Sequence, residues 1–325
     1  MSEPAEVECA FPIVIFGASG FLGRHLTSHP TMATTPSYCV SRRSDHQSAR
    51  HDCFVQGDLR FPDPLIGKLP SGATVVNLAY DWASGHARNL EIADGLLKVA
   101  RAIRAARVVH FSTAMVAGRV QERWASETTP CHPVTSYQRT KLAVEERLCL
   151  GLAGTCPLVI VRPTAVFGSG GRNLEKLTTD LLRRPKYENY LRSCLFGERP
   201  MNLVPVETVV AAAHFAVAAP VSQPSTLYIV ADDEVEENNF QWVEACLMRA
   251  LAIPTYRLPR TAASTALLRL ALRVVGKSGV SLHLRFSSQS LETAGFKRPV
   301  TFLQALHAFA AERAARVLGV DGSST

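Results

Sequence analysis

Among the eight cysteines, Cys9, Cys39, Cys53, Cys131, Cys149, Cys156, Cys194 and Cys246, there is no C-x-x-C pair and no cysteine–histidine spacing of a metal site. This argues against a disulfide scaffold and a structural zinc; the thiols are expected to be reduced and mostly buried, and no residue is assigned to a metal. No apolar run reaches the roughly 20 residues that a membrane helix needs. The opening MSEPAEVECA lacks the basic and apolar regions of a secretion signal, so a cytoplasmic location is expected. Internal repeats and low-complexity tracts are also missing, which confines expected disorder to the ends, Asp321 to Thr325 included.

What is present suits an ordinary globular protein. In 325 residues, 47% are hydrophobic and 19% charged, enough apolar material to offset the entropy of ordering the chain. The formal net charge of +7 favours acidic ligands, but lysine and arginine are dispersed and not interleaved with aromatics. A phosphate-bearing small molecule is the expected partner, and nucleic acid is not.

Short apolar or β-branched runs alternate with helical patterns: Pro12 to Phe16, Tyr38 to Val40, Thr74 to Ala79, Val108 to Ser112 and Leu158 to Val161. This alternation predicts an α/β fold with a doubly wound parallel Rossmann sheet. A helix is predicted over Asn89 to Ala106, with Leu90, Ala93, Leu97 and Ala100 near helical spacing. After Gly168 the pattern loosens into helices, with strand-like runs at Asn202 to Val206 and Leu227 to Val230. The expected organisation is an NAD(P)-binding Rossmann domain over 1–168, to which late strands near 201–232 return. Residues 169–325 are expected to form mainly a smaller, largely helical substrate-binding lobe.

The segment Pro12 to Arg24 turns from an apolar strand into a helix through Gly17, Gly20 and Gly23, three residues apart. Glycine permits a tight turn and close backbone approach, and the helix aims unpaired N–H groups and its positive dipole end at a pyrophosphate. Gly17, Ser19, Gly20, Phe21, Leu22 and Gly23 are thus candidate cofactor-binding residues. About twenty residues on, where NAD-binding folds usually place an acidic residue against the ribose, the sequence reads Ser41-Arg42-Arg43. Arg42 and Arg43 suit the 2′-phosphate of NADP(H), although Asp45 reaches the ribose if the strand ends later, which keeps NAD possible.

Tyr137 and Lys141 stand four residues apart and share one helix face. Thr135-Ser136-Tyr137-Gln138 fits a capping box that opens that helix. An ammonium beside a phenol is expected to bring its proton exchange toward neutrality, and Lys141 can also hold the cofactor ribose. Thr113 ends an apolar strand, where ligands sit outside strand carboxyl ends.

In this order, the glycine turn, Thr113 and the Tyr137-x-x-x-Lys141 pair resemble the extended short-chain dehydrogenase/reductases, the NAD-dependent epimerase/dehydratase relatives, over nearly the whole chain. The resemblance implies that Thr113, Tyr137 and Lys141 are catalytic, with Tyr137 exchanging the proton and Thr113 positioning the oxygen. It implies further cofactor contacts from Asp58 and Leu59 near the adenine, from Leu78, Ala79 and Tyr80 after Asn77, and from Asn89, opening the helix after the fourth strand. Arg162-Pro163-Thr164-Ala165-Val166-Phe167-Gly168 is similar to the family's R-P-x-x-V-[FY]-G strand, with Pro163 at the cofactor. Asn202 to Val209 is similar to its late V-x-V-x-D-V segment, with Glu207-Thr208 in place of the usual acidic pair.

Dehydratases of the family typically follow the catalytic threonine with an acidic pair, whereas Ala114-Met115 follows Thr113 here. The expected activity is therefore an NADP(H)-dependent nucleotide-sugar 4-ketoreductase. The alternatives are a nucleotide-sugar 4-epimerase with tightly bound NAD, or a ketone reductase similar to the 3β-hydroxysteroid dehydrogenase and dihydroflavonol reductase branch. Seven basic groups against four acidic ones between Arg172 and Arg199 suit a clamp on a nucleotide diphosphate, while Ala165 stands where sugar-nucleotide relatives often have asparagine. The basic amphipathic run Leu267 to Val275 reads as a lobe helix rather than a membrane contact. Relatives commonly pair through the helices corresponding to Asn89–Ala106 and Tyr137–Leu152, so a homodimer is expected.

Overall fold

The computed structural model describes residues 12–30, 35–42, 53–220, 223–260 and 282–318. In chain order, the first half forms β1 (Ile13–Phe16), α1 (Phe21–Thr27), β2 (Ser37–Ser41), β3 (Cys53–Gln56), α2 (Asp63–Ile66), β4 (Thr74–Asn77), α3 (Gly85–Ala102), β5 (Arg107–Phe111), β6 (Trp124–Ala125) and α4 (Ser136–Leu152). The second half continues with β7 (Leu158–Pro163), β8 (Ala165–Phe167), α5 (Glu175–Arg183), α6 (Lys186–Phe196), β9 (Leu203–Pro205), α7 (Val206–Ala218), β10 (Ser225–Val230), α8 (Phe240–Ala250), β11 (Arg285–Phe286), α9 (Gln289–Thr293) and α10 (Phe302–Leu318).

Seven strands form one parallel sheet in the order β10-β7-β5-β4-β1-β2-β3. Their side chains are mostly apolar on both faces because helices cover both, as a parallel sheet requires. Leu96 and Val99 of α3 and Val144 and Leu148 of α4 fill one side. Leu26 of α1 and Val209 and Ala213 of α7 fill the other. Strand order reverses beside β1, which opens a crevice at the strand carboxyl ends. A third cluster joins Leu177 and Leu181 of α5, Phe240 and Leu247 of α8, and Phe302 and Phe309 of α10.

Several elements differ from the sequence expectation. The edge strand β3 was not anticipated, because four residues with one buried side chain carry little periodicity. Of the two late strands, β10 joins the main sheet, whereas β9 pairs with β8 in a separate two-stranded sheet. The third helix begins four residues before Asn89 and ends at Ala102, beyond which Arg104 adopts a positive φ of 51°. The runs 267–275 and 321–325 lie outside the described residues.

Helix α3 approaches the β3–α2 connection through Gly95, where a Cβ would overlap the Leu59 carbonyl. Gly95→Ala is therefore expected to lower stability by about 1–3 kcal/mol through overpacking. Gly67→Ala, whose Cβ meets nothing within 4 Å, should cost nothing measurable. Urea unfolding of the two variants checks both.

Candidate active site

The carboxyl ends of β1, β2, β4, β5 and β7 supply the site. Gly17 follows β1 with φ +81°, and a Cβ there would stand 2.9 Å from the Ala79 amide nitrogen. A Cβ on Gly23 would overlap the Gly17 and Ala18 carbonyls, so the turn and α1 close together only with glycine. Gly20 is exposed and starts α1 with no side-chain cap, leaving first-turn N–H groups facing the crevice. This cradle fits a dinucleotide pyrophosphate. Phe21 packs toward Gly171 and edge-on to His25, Leu22 joins the α1–α7 core, and Ser19 Oγ lies 3.0 Å from Ser41 Oγ.

At the end of β2 stands Ser41, not a carboxylate, and the next residue is Arg42, 62% exposed, with Nη1 3.9 Å from Asp81 Oδ2. Arg43 and Asp45 lie outside the described residues. Asp58 receives the Arg60 backbone N–H at 3.0 Å and Arg60 Nε at 2.8 Å. Burial works against its charge, but the hydrogen bonds and charge of Arg60, with Arg42 adding, hold the Asp58 carboxyl below its ordinary range. Leu59 is buried beneath α3. Leu78 and Ala79 border Gly17, and Pro163 ends β7, buried.

Asn89 departs from its expected place at the opening of the helix. It lies in the second turn of α3, buried, with Nδ2 donating to the Asp81 and Gly85 carbonyls at 2.9 and 2.8 Å and Oδ1 accepting the Asp81 N–H at 2.9 Å. Its amide is spent on bracing the β4–α3 loop, so it positions that loop and does not open the helix.

Thr113, Tyr137 and Lys141 come together. The Thr135 hydroxyl accepts the Gln138 N–H at 3.2 Å while Gln138 Oε1 accepts the Thr135 N–H at 3.0 Å, so the expected capping box starts α4. Tyr137 therefore sits in the first turn, and Lys141, one turn on and 6% exposed, sends Nζ 3.0 Å to the Phe111 carbonyl of β5. Thr113, two residues beyond, is buried, its hydroxyl accepting the Met115 N–H at 3.3 Å, and it lies near enough to the Tyr137 phenol to oppose the upward push of burial. Tyr80 meets Tyr137 edge-on at 5.5 Å, and Lys141 Nζ lies 4.5 Å from the Tyr80 ring centroid.

The electrostatics correct one expectation. Burial pushes the Tyr137 phenol up to about 12 rather than toward neutrality, with Tyr80 adding and Thr113 opposing. Lys141 is directed at the Phe111 carbonyl and the Tyr80 face, and burial brings its own pKa down to about 8 against the pull of Glu145. Glu145 is held in turn by Arg162 of β7, Nε to Oε1 at 3.0 Å. Beneath them His110 is wholly buried and kept neutral by burial, with the charge of Lys141 adding. Its Nδ1 lies 3.0 Å from Asn77 Nδ2, and Asn77 Oδ1 accepts the Ala79 N–H at 3.1 Å.

Two residues of the site, Asp81 and Trp82, were missed by sequence reasoning. Asp81 caps the loop after β4, accepting the Ala83 N–H at 3.0 Å and the Ser84 hydroxyl at 3.0 Å. Trp82 stacks on Tyr137, ring centroids 5.0 Å apart and planes 14° from parallel. The position just past an Asn-Leu-Ala strand end was the available hint. In the 172–199 region the expected cationic clamp is partly spent internally. Arg184 and Arg192 bind Asp180 at 2.9 and 2.6 Å, and Arg199 donates to the Phe196 carbonyl at 3.0 Å. No group of three or more potential metal ligands occurs among the described residues.

Residues 13–231 match the model of the NAD dependent epimerase/dehydratase family. No curated protein sequence matches the chain. Among solved structures, the Bordetella bronchiseptica enzyme WbmH in complex with NAD+ superposes with TM-score 0.71 at 18% identity, covering 95% of this chain and 99% of that one. The dTDP-glucose 4,6-dehydratase of Bacillus anthracis str. Ames in complex with NAD gives 0.72 at 15% identity over 94% and 98%. The UDP-glucose 4-epimerase of Thermotoga maritima with UDP-glucose gives 0.69 at 15% identity over 95% and 99%.

Because the folded pKa of Lys141, about 8, lies below its ordinary value of 10.5, the unfolded chain binds more protons between these values and stability rises with pH across that window. This gain is expected in the ligand-free protein between about pH 8 and pH 10 and should flatten in Lys141→Met. Urea unfolding at several pH values measures it.

Proposed function

The chain belongs to the NAD dependent epimerase/dehydratase family, and we propose that within it the protein is an NADP(H)-dependent reductase of nucleotide 4-ketosugars. The observation that carries the cofactor choice is the end of β2, where Ser41 and the exposed Arg42 stand in place of a carboxylate. A guanidinium there recognises a 2′-phosphate through charge-assisted hydrogen bonds. NADPH that exchanges freely suits net reduction. The substrate class is supported by nucleotide-sugar enzymes of the same fold and by Ala114-Met115 after Thr113, which offers no acidic pair for elimination.

When bound, the dihydronicotinamide supplies a hydride to the carbonyl carbon. Tyr137 gives its phenolic proton to the carbonyl oxygen, which becomes the new hydroxyl. With its pKa pushed to about 12, the phenol is protonated at neutral pH, the form that reduction consumes. Thr113, beside that phenol, holds the same oxygen. Lys141 carries an ammonium below about pH 8, stabilising the phenolate left after transfer and offering hydrogen bonds to the cofactor ribose.

A second reading, a 4-epimerase with retained NAD, is favoured by the carboxylates beside Arg42. Asp81 lies 3.9 Å away and Asp58 feels its charge, and both would oppose a 2′-phosphate.

Titration with NADPH and NADH, followed by turnover of nucleotide 4-ketosugars, separates the two. NADPH-selective binding with net oxidation supports the reductase, whereas co-purified NAD without net redox change supports the epimerase. Arg42→Ala should weaken NADPH by about tenfold or more and leave NADH unchanged; equal affinity of the wild type for both defeats the NADP assignment. Tyr137→Phe should lower kcat by at least about 10²-fold with NADPH affinity nearly intact, as steady-state kinetics and fluorescence titration would show.

A further inference from the structure

Trp82 is 76% exposed, yet it is not a loose side chain. The Asp81 turn fixes the backbone on one side of it, and Asn89 fixes Asp81 through two hydrogen bonds of 2.9 Å. Its ring stacks on Tyr137 at 5.0 Å and meets Tyr80 edge-on at 4.9 Å. Folding does not require a large indole with most of its surface in water, held by a built turn against a phenol.

We propose that Trp82 is a specificity-determining residue, the wall against which the C–H face of the reacting pyranose ring lies. The inference rests on the nucleotide-sugar reading and deepens it. A carbonyl oxygen taking the Tyr137 proton must reach the phenol oxygen and Thr113, which places its ring beside the indole. At the observed spacing the two aromatic rings leave no room for a third between them, so the sugar uses the indole's free surface or takes the indole's place on Tyr137. Either way the gain comes from apolar C–H groups covering an aromatic face, an interaction that a nucleotide without sugar does not make.

The test is calorimetric titration of the NADPH-saturated protein with UDP and with UDP-glucose, in wild type, Trp82→Ala and Trp82→Phe. UDP-glucose is expected to bind wild type about tenfold tighter than UDP. Trp82→Ala should bring the two to parity, and Trp82→Phe should keep a large part of the difference. UDP affinity should be the same in all three, which also shows that the variants are folded. An undiminished UDP-glucose advantage in Trp82→Ala, or no advantage in wild type, overturns the role of Trp82 alone. Failure of wild type to bind UDP at all removes the nucleotide-sugar reading and this inference with it.

Discussion

Burying the Lys141 ammonium is unfavourable unless its donors find acceptors, and the way they do so organises the site. Nζ donates to the Phe111 carbonyl at the end of β5 and lies over the Tyr80 ring, so α4 is held to the sheet and to the β4–α3 loop at once. One turn further, Glu145 adds negative charge to that environment and is itself fixed by Arg162 of β7. Because Tyr137 shares the helix face of Lys141, the same attachment brings the phenol to Thr113. A buried charge that elsewhere would be a cost here sets the register of α4.

The cavity end of β4 is organised by amide chemistry. Asn77 joins His110 of β5 to the Ala79 N–H, and Asn89 clamps Asp81 from the following helix. The loop between them carries Tyr80 and Trp82 to Tyr137 and Asp81 to Arg42. The two ends of a bound dinucleotide would therefore meet residues of one short, braced segment.

Beyond the main sheet, buried polar groups replace strand pairing as the fastening. Asp233, after β10, accepts the Phe286 N–H at 2.8 Å and the Asn202 Nδ2 at 2.6 Å, while Asn238 Nδ2 donates to the Leu203 carbonyl at 2.8 Å. These bonds tie β10, β9 and β11 together although β9 and β11 belong to different small sheets. They hold the segments carrying β9 and β11 beside the end of β10.

Local spacing alone determined the strand–helix alternation, the glycine turn, the Thr135 capping box and the shared helix face of Tyr137 and Lys141, because each depends on residues within a turn or two of one another. Tertiary structure decided what depends on distant partners. β9 pairs with β8 rather than the main sheet, and Asn89 turns its amide to the loop. Arg42 meets Asp81, and Trp82 lies on Tyr137. It also decided the pKa of the phenol, which burial raises and which no local pattern states.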